Sequence, residues 1–170
     1  MKGKKACLAG AVIALAFAVT GCSAIPGMGG SGTNEAHVGD TVSTSWFDYT
    51  VTSAESADTY EGYTASDGNK LVVVNLTMTN TFNESVPMFD TDFQLGWGEY
   101  NDDEMAFPVP PYCDAQLPVE YYLSIDETRD GVLVYEVPSD VRDFTFAFLE
   151  VFDNGTDEGE EGDLFMTYFT

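Results

Sequence analysis

Lys70-Leu71-Val72-Val73-Val74-Asn75-Leu76-Thr77-Met78-Thr79-Asn80 is the stretch that decides the fold. Val72, Val74, Leu76 and Met78 share one parity, and Val73, Asn75, Thr77 and Thr79 share the other. Successive strand side chains point to opposite faces, so this run predicts a long strand with one buried and one largely polar face. Toward the N-terminus, Phe47, Tyr49 and Val51 alternate with Asp48, Thr50 and Thr52 in the same period of two. Toward the C-terminus, Leu133, Tyr135 and Val137 face away from Val132, Val134 and Glu136, and Pro138-Ser139-Asp140 ends the strand. Phe144, Phe146 and Phe148 make an aromatic face, and Leu164 to Phe169 supplies a closing strand. Unpaired, that last strand would be an exposed sticky edge. Turn clusters stand at Ser66-Asp67-Gly68-Asn69, Asn101-Asp102-Asp103 and Asp153-Asn154-Gly155. No helical period interrupts the series beyond the N-terminal segment. Short strands with regular turn signals predict an all-β antiparallel sandwich or barrel.

At 170 residues and 44% hydrophobic, the chain suits one well-packed domain. Its charge is lopsided: 6 Lys+Arg stand against 29 Asp+Glu, a net of −23. A nucleic-acid binder needs a basic footprint, and docking on anionic lipid needs a polybasic patch. Both classes are excluded. The abundance of aromatic and β-branched residues equally excludes a disordered acidic chain.

The N-terminus reads as an address. Lys2, Lys4 and Lys5 precede the apolar stretch Ala6 to Val19, which is followed by Thr20-Gly21-Cys22. A positive region, a short apolar region and a small-residue cleavage site make a secretory signal. Val19-Thr20-Gly21-Cys22 resembles the lipobox of bacterial lipoproteins, whose cysteine is acylated with a diacylglycerol and becomes the first residue after cleavage. The expected division is a signal peptide over 1–21, a lipidated Cys22 with a flexible Gly/Ser tether over 22–36, and a β-sandwich domain over 37–170. Cleavage removes three lysines and no acid, taking the net charge from −23 to −26. The tether, Ser23 to Ala36, spans at most ~50 Å extended and averages ~20 Å as a coil. Cys7 leaves with the signal, so Cys113 is the remaining thiol and no intramolecular disulfide is expected. Cys113 is read as a small buried hydrophobe.

The domain also carries a resemblance. Val38-Gly39-Asp40-Thr41, Phe47-Asp48-Tyr49-Thr50-Val51, the Lys70–Asn80 strand, Asp92-Phe93-Gln94-Leu95 and the strand from Gly131 to Pro138 are together similar to a bacterial lipoprotein domain family of unknown function. The resemblance implies an immunoglobulin-like β-sandwich, similar in fold to a secreted mycobacterial immunoprotective antigen, and a lipid-tethered location. It implies no catalytic residues. Where that family has a Pro-Gly turn, this chain has Ser124-Ile125-Asp126-Glu127-Thr128-Arg129-Asp130.

Three chemistries compete for the site. Catalysis is not expected: His37 is the sole histidine, and Lys70 is the sole lysine after signal removal. A small hydrolase built on paired carboxylates is the remaining enzymatic alternative. One Cys and one His exclude structural zinc. Calcium, which takes six to eight oxygens, has candidates in Asp90 and Asp92 and in the acidic segment holding Asp153, Asp157 and Glu158. The third chemistry is an aromatic surface for sugars or peptides, with Tyr60, Tyr63, Trp97 and Tyr100 as candidates. Arg129 and Arg142 are read as anchors of structural ion pairs. The expectation is therefore a non-enzymatic binding module, lipid-anchored on the extracytoplasmic face of the cell membrane. Its partner would be an envelope protein or glycan, without nucleic acid, and its alternative form would be calcium-dependent.

Overall fold

The computed structural model describes residues 32–98, 104–153 and 160–170. Its strands are β1 (Thr33–His37), β2 (Thr41–Ser43), β3 (Phe47–Ala57), β4 (Thr59–Tyr60), β5 (Tyr63–Thr64), β6 (Asn69–Asn80), β7 (Val86–Phe89), β8 (Phe93–Trp97), β9 (Met105–Ala106), β10 (Glu120–Leu123), β11 (Thr128–Pro138), β12 (Phe144–Phe152) and β13 (Glu160–Phe169). A single 3-10 turn, Asp90–Asp92, joins β7 to β8. One sheet has the order β11-β6-β3-β2, and the other β1-β13-β12-β8-β9. Short ribbons β10-β7 and β4-β5 complete an immunoglobulin-like β-sandwich.

The alternation read from the sequence sets the two inner faces. Phe47, Tyr49 and Val51 meet Val72, Val74, Leu76 and Met78 in one cluster with Leu133, Tyr135, Phe93 and Phe146. A bulge at Thr52 shifts the register of β3 against β6, so that Ala54 also packs on this core. Phe93 stacks on Phe146 at 5.0 Å, and the Tyr135 hydroxyl donates to the Phe93 carbonyl at 3.0 Å. β13 is paired on both sides, antiparallel to β12 and parallel to β1, so its apolar residues form no free edge.

Two expectations are corrected. The tether was expected to run to Ala36, but Thr33–His37 is a strand paired with 164–168. Its side chains alternate no apolar face, so only the pairing on β13 reveals it. The second face of β6 was expected to be largely polar, yet Leu71 and Val73 are fully buried with Val132 and Val134 in a separate outer cluster. The cover comes from the β4-β5 hairpin and from the crossover between β9 and β10. That crossover lies along the open edge of β11: Val109 N–H donates to Val134 O at 2.7 Å and Leu117 N–H to Val132 O at 3.0 Å. Tyr60, Tyr63, Val109 and Ala115 close the outer cluster.

Cations take structural places. Lys70 is buried, donates to the Val141 carbonyl and lies 5.2 Å from the Phe144 ring centroid. Arg129 pairs with Glu127 at 2.6 Å and covers the Tyr121 ring at 4.8 Å, as expected of an ion-pair anchor. Arg142 instead donates to the carbonyls of Ser139 and Val141. The Ser124–Glu127 turn needs no glycine, because Asp126 itself adopts a φ of 58° while the Glu127 carboxylate accepts from Ser124 N–H. Cys113 is half-buried.

Gly131 shows how tightly the crossover is seated. A methyl group there would come within 2.3 Å of Leu117, which plugs into the main core opposite it. Gly131→Ala is expected to cost about 1–3 kcal/mol through overpacking. Urea unfolding checks this as a lowered midpoint at unchanged slope. Glu136 organises the outer cluster. It accepts from Asn69 Nδ2 at 2.9 Å, Ser66 N–H at 2.8 Å and the Tyr63 hydroxyl at 3.1 Å, and these bonds hold its carboxyl down at about 2. A depressed folded value stabilises the protein above the ordinary carboxylate range, and that stabilisation is lost as pH falls through the folded value. Glu136→Gln should therefore lower the melting temperature at pH 7. The gap to the parent should close as pH drops from 4.5 toward about 2. A gap constant across that window would remove the carboxylate from the account.

Candidate functional site

The residues singled out for an aromatic surface are not gathered by the fold. Tyr60 and Tyr63 sit together on the outer cluster, where Tyr63 stacks on Tyr112 at 4.9 Å. Trp97, half-buried, packs against the main core instead. Tyr100 lies outside the described residues, as do Cys22, Asp157 and Glu158.

The acidic candidates divide similarly. Asp90 is 5% exposed and burial pushes its carboxyl up, as it does that of Asp92. The Asp92 carboxylate has a backbone role, since its Oδ2 accepts from Phe89 N–H at 2.8 Å. Among the described residues, no three His, Cys, Asp or Glu side chains come together where they could hold a metal ion. Also among the described residues, no helix is long and apolar enough to cross a membrane.

A different feature stands out. An open groove of about 500 Å³ runs between β7 and the C-terminal end of β12. Its walls include Trp46, Phe82, Val86, Met88, Phe89, Phe148, Leu149, Val151 and Phe152. Ten large apolar side chains are exposed among the described residues, and five of them line this groove: Phe82, Phe89, Leu149, Val151 and Phe152. Such concentration makes the groove the candidate interaction surface, whereas singly scattered exposed apolar residues need no explanation. Asp92 and Asp153, two of the calcium candidates, also line it, together with Glu84. Among the described residues, no basic side chain does.

Local structure explains why the groove stays open. β8 pairs with β12 only as far as Phe93↔Phe148, because the Asp90–Asp92 turn ends the ladder there. Beyond Phe148, β12 has a neighbour on its β13 side alone among the described residues. At the same end a bulge in β13 opposes Glu150, whose buried carboxylate crosses to the β2-β3 turn and accepts from Ser45 N–H at 2.6 Å. That bond ties Trp46 to the groove wall, with its ring 5.1 Å from that of Phe152. Gly162 makes room for this arrangement, since a methyl group there would lie 2.5 Å from the Phe152 ring.

Sequence reasoning missed the groove because its rings come from three separated segments, 82–89, 46 and 148–152. The available signal was the surplus of apolar residues in positions that alternation assigns to the outside, namely Phe89, Leu149 and Val151.

Known structures share this architecture. The yjhA protein from Bacillus subtilis aligns with a TM-score of 0.58 at 18% identity, over 78% of this chain and 99% of that one. The candidate lipoprotein ycdA from Bacillus subtilis subsp. subtilis str. 168 aligns at 0.55 and 16% identity over 74% of this chain, which spans only 37% of ycdA. MPT63, a secreted protein from Mycobacterium tuberculosis, aligns at 0.53 and 11% identity, over 78% of this chain and 95% of that one. No curated protein matches the sequence. The model of the domain of unknown function DUF4352 matches residues 36–157, and the chain belongs to that family.

Proposed function

We propose that this protein is a non-catalytic binding module, anchored by a lipid on Cys22 to the extracytoplasmic face of the cell membrane, with the β7–β12 groove as its site. The carrying observation is the apolar groove itself, which gathers half of the exposed large apolar side chains of the described residues. Its aliphatic and aromatic walls suit polypeptide side chains better than the hydroxyl-rich faces of a glycan. The anchor rests on the lipobox-like Val19-Thr20-Gly21-Cys22. Two acyl chains would hold the protein stably where one would not. A calcium-dependent form of the same module is the second reading. It is favoured by Asp90 and Asp92, two carboxylates that burial makes costly to ionise and that a cation would relieve.

Each part has its own measurement. Cells fed labelled palmitate should label the parent protein and not Cys22→Ala; label on both would remove the anchor. Val151→Glu changes an exposed side chain, so stability should stay within about 0.5 kcal/mol. Crosslinking in intact envelopes should nevertheless lose its adducts, and unchanged adducts would move the site elsewhere. Melting in calcium, magnesium and matched sodium should give one uniform salt response. A calcium-selective rise of several degrees would install the second reading instead.

A further inference from the structure

Backbone direction along the groove narrows the class of partner. Trp97 N–H donates to Glu104 O across the β8-β9 pair. By strand alternation, Gln94 and Gly96 then turn their backbone groups to β12, where they face Ala147 and Thr145. Continuing the alternation, Val151 turns its N–H and C=O the same way, but β8 begins at Phe93 and places no residue opposite it. The facing strand offers far less. Pro87 has no N–H, and the N–H of Phe89 is taken by Asp92. One wall of the groove is therefore an open strand edge, and the other offers no free N–H at Pro87 or Phe89.

We infer that the groove receives an extended, basic segment of a partner protein, which adds as a strand along the open end of β12. The inference rests on the groove being the binding site. The occupant's extended form follows from the Val151 backbone, which no described strand pairs on that side, since strand addition draws affinity from main-chain bonds and specificity from alternate side chains. Its apolar alternate residues follow from the walls formed by Phe89, Leu149 and Phe152. Its basic character follows from charge: acidic residues line the groove and, among the described residues, no basic side chain does, on a chain of net charge −23.

The test uses the full chain and a labelled nine-residue probe of alternating lysine and valine, read by fluorescence anisotropy and amide hydrogen exchange. The lysine-valine probe should bind and slow exchange at Val151. Raising salt from 50 to 500 mM should weaken it by about tenfold or more. A glutamate-valine probe should fail, and Glu84→Lys should weaken the basic one. Methylating every backbone N–H of the probe should cost at least about tenfold, the worth of one or two hydrogen bonds. Equal binding by the methylated probe, without protection at Val151, would overturn strand addition and leave the groove reading standing. Equal binding by the acidic probe would overturn the basic partner. Slow exchange at Val151 before any probe is added would mean that this chain, or a second copy of it, already fills the edge. Failure of all probes, together with unchanged envelope adducts in Val151→Glu, would sink the groove as well.

Discussion

Everything in this molecule follows from a central strand that is apolar on both faces. Leu71 and Val73 on one side of β6, and Val72 and Val74 on the other, are all buried. A two-sheet sandwich covers one face of each sheet, so the second face must be covered by other parts of the chain. The β4-β5 hairpin and the crossover before β10 do this, and Val109 and Ala115 are spent on it. The cover is fastened by polar groups of modest cost, chiefly the Glu136 carboxylate with its three donors. The same crossover protects the middle of the β11 edge, because it bonds the backbone of Val132 and Val134.

The other sheet is treated differently. Its β8 strand stops at Phe93, and the preceding Asp90–Asp92 turn spends its carboxylate on Phe89 rather than extending the ladder. Continuing β8 back by three residues, to Asp90, would have covered Val151 and filled the groove with chain. The bulge in β13, the Glu150–Ser45 bond and the close approach allowed by Gly162 hold the uncovered end of β12 in a fixed shape. An end held this firmly is preorganised, so that the strand addition proposed for it would cost little ordering.

Alternation made the strands legible, because period two survives in Phe47-Tyr49-Val51, in Leu133-Tyr135-Val137 and in Phe144-Phe146-Phe148 whatever lies around them. It failed where both parities matter. Asn75, Thr77 and Thr79 gave the second face of β6 a polar look that Leu71 and Val73 contradict, and nothing local says where along one strand the cover begins. It failed also where pairing alone makes a strand, as in Thr33–His37. The candidate rings Tyr60, Tyr63 and Trp97 were chosen for lying near turns, yet turn residues in a sandwich commonly close its ends. The groove needed coordinates, since no spacing rule joins Trp46, Phe89 and Phe152.

Charge completes the account by explaining how an open apolar edge can persist. A bare strand end beside exposed phenylalanines is ordinarily a template for pairing with another copy. Here a second copy would bring Glu84, Asp92 and Asp153 against their own equivalents, on chains that each carry −23. Like charges at such an interface oppose self-association and slow the encounter itself. The chain's acidity thus has a local use. It denies the edge to this chain's own kind while leaving it open to a segment of opposite sign.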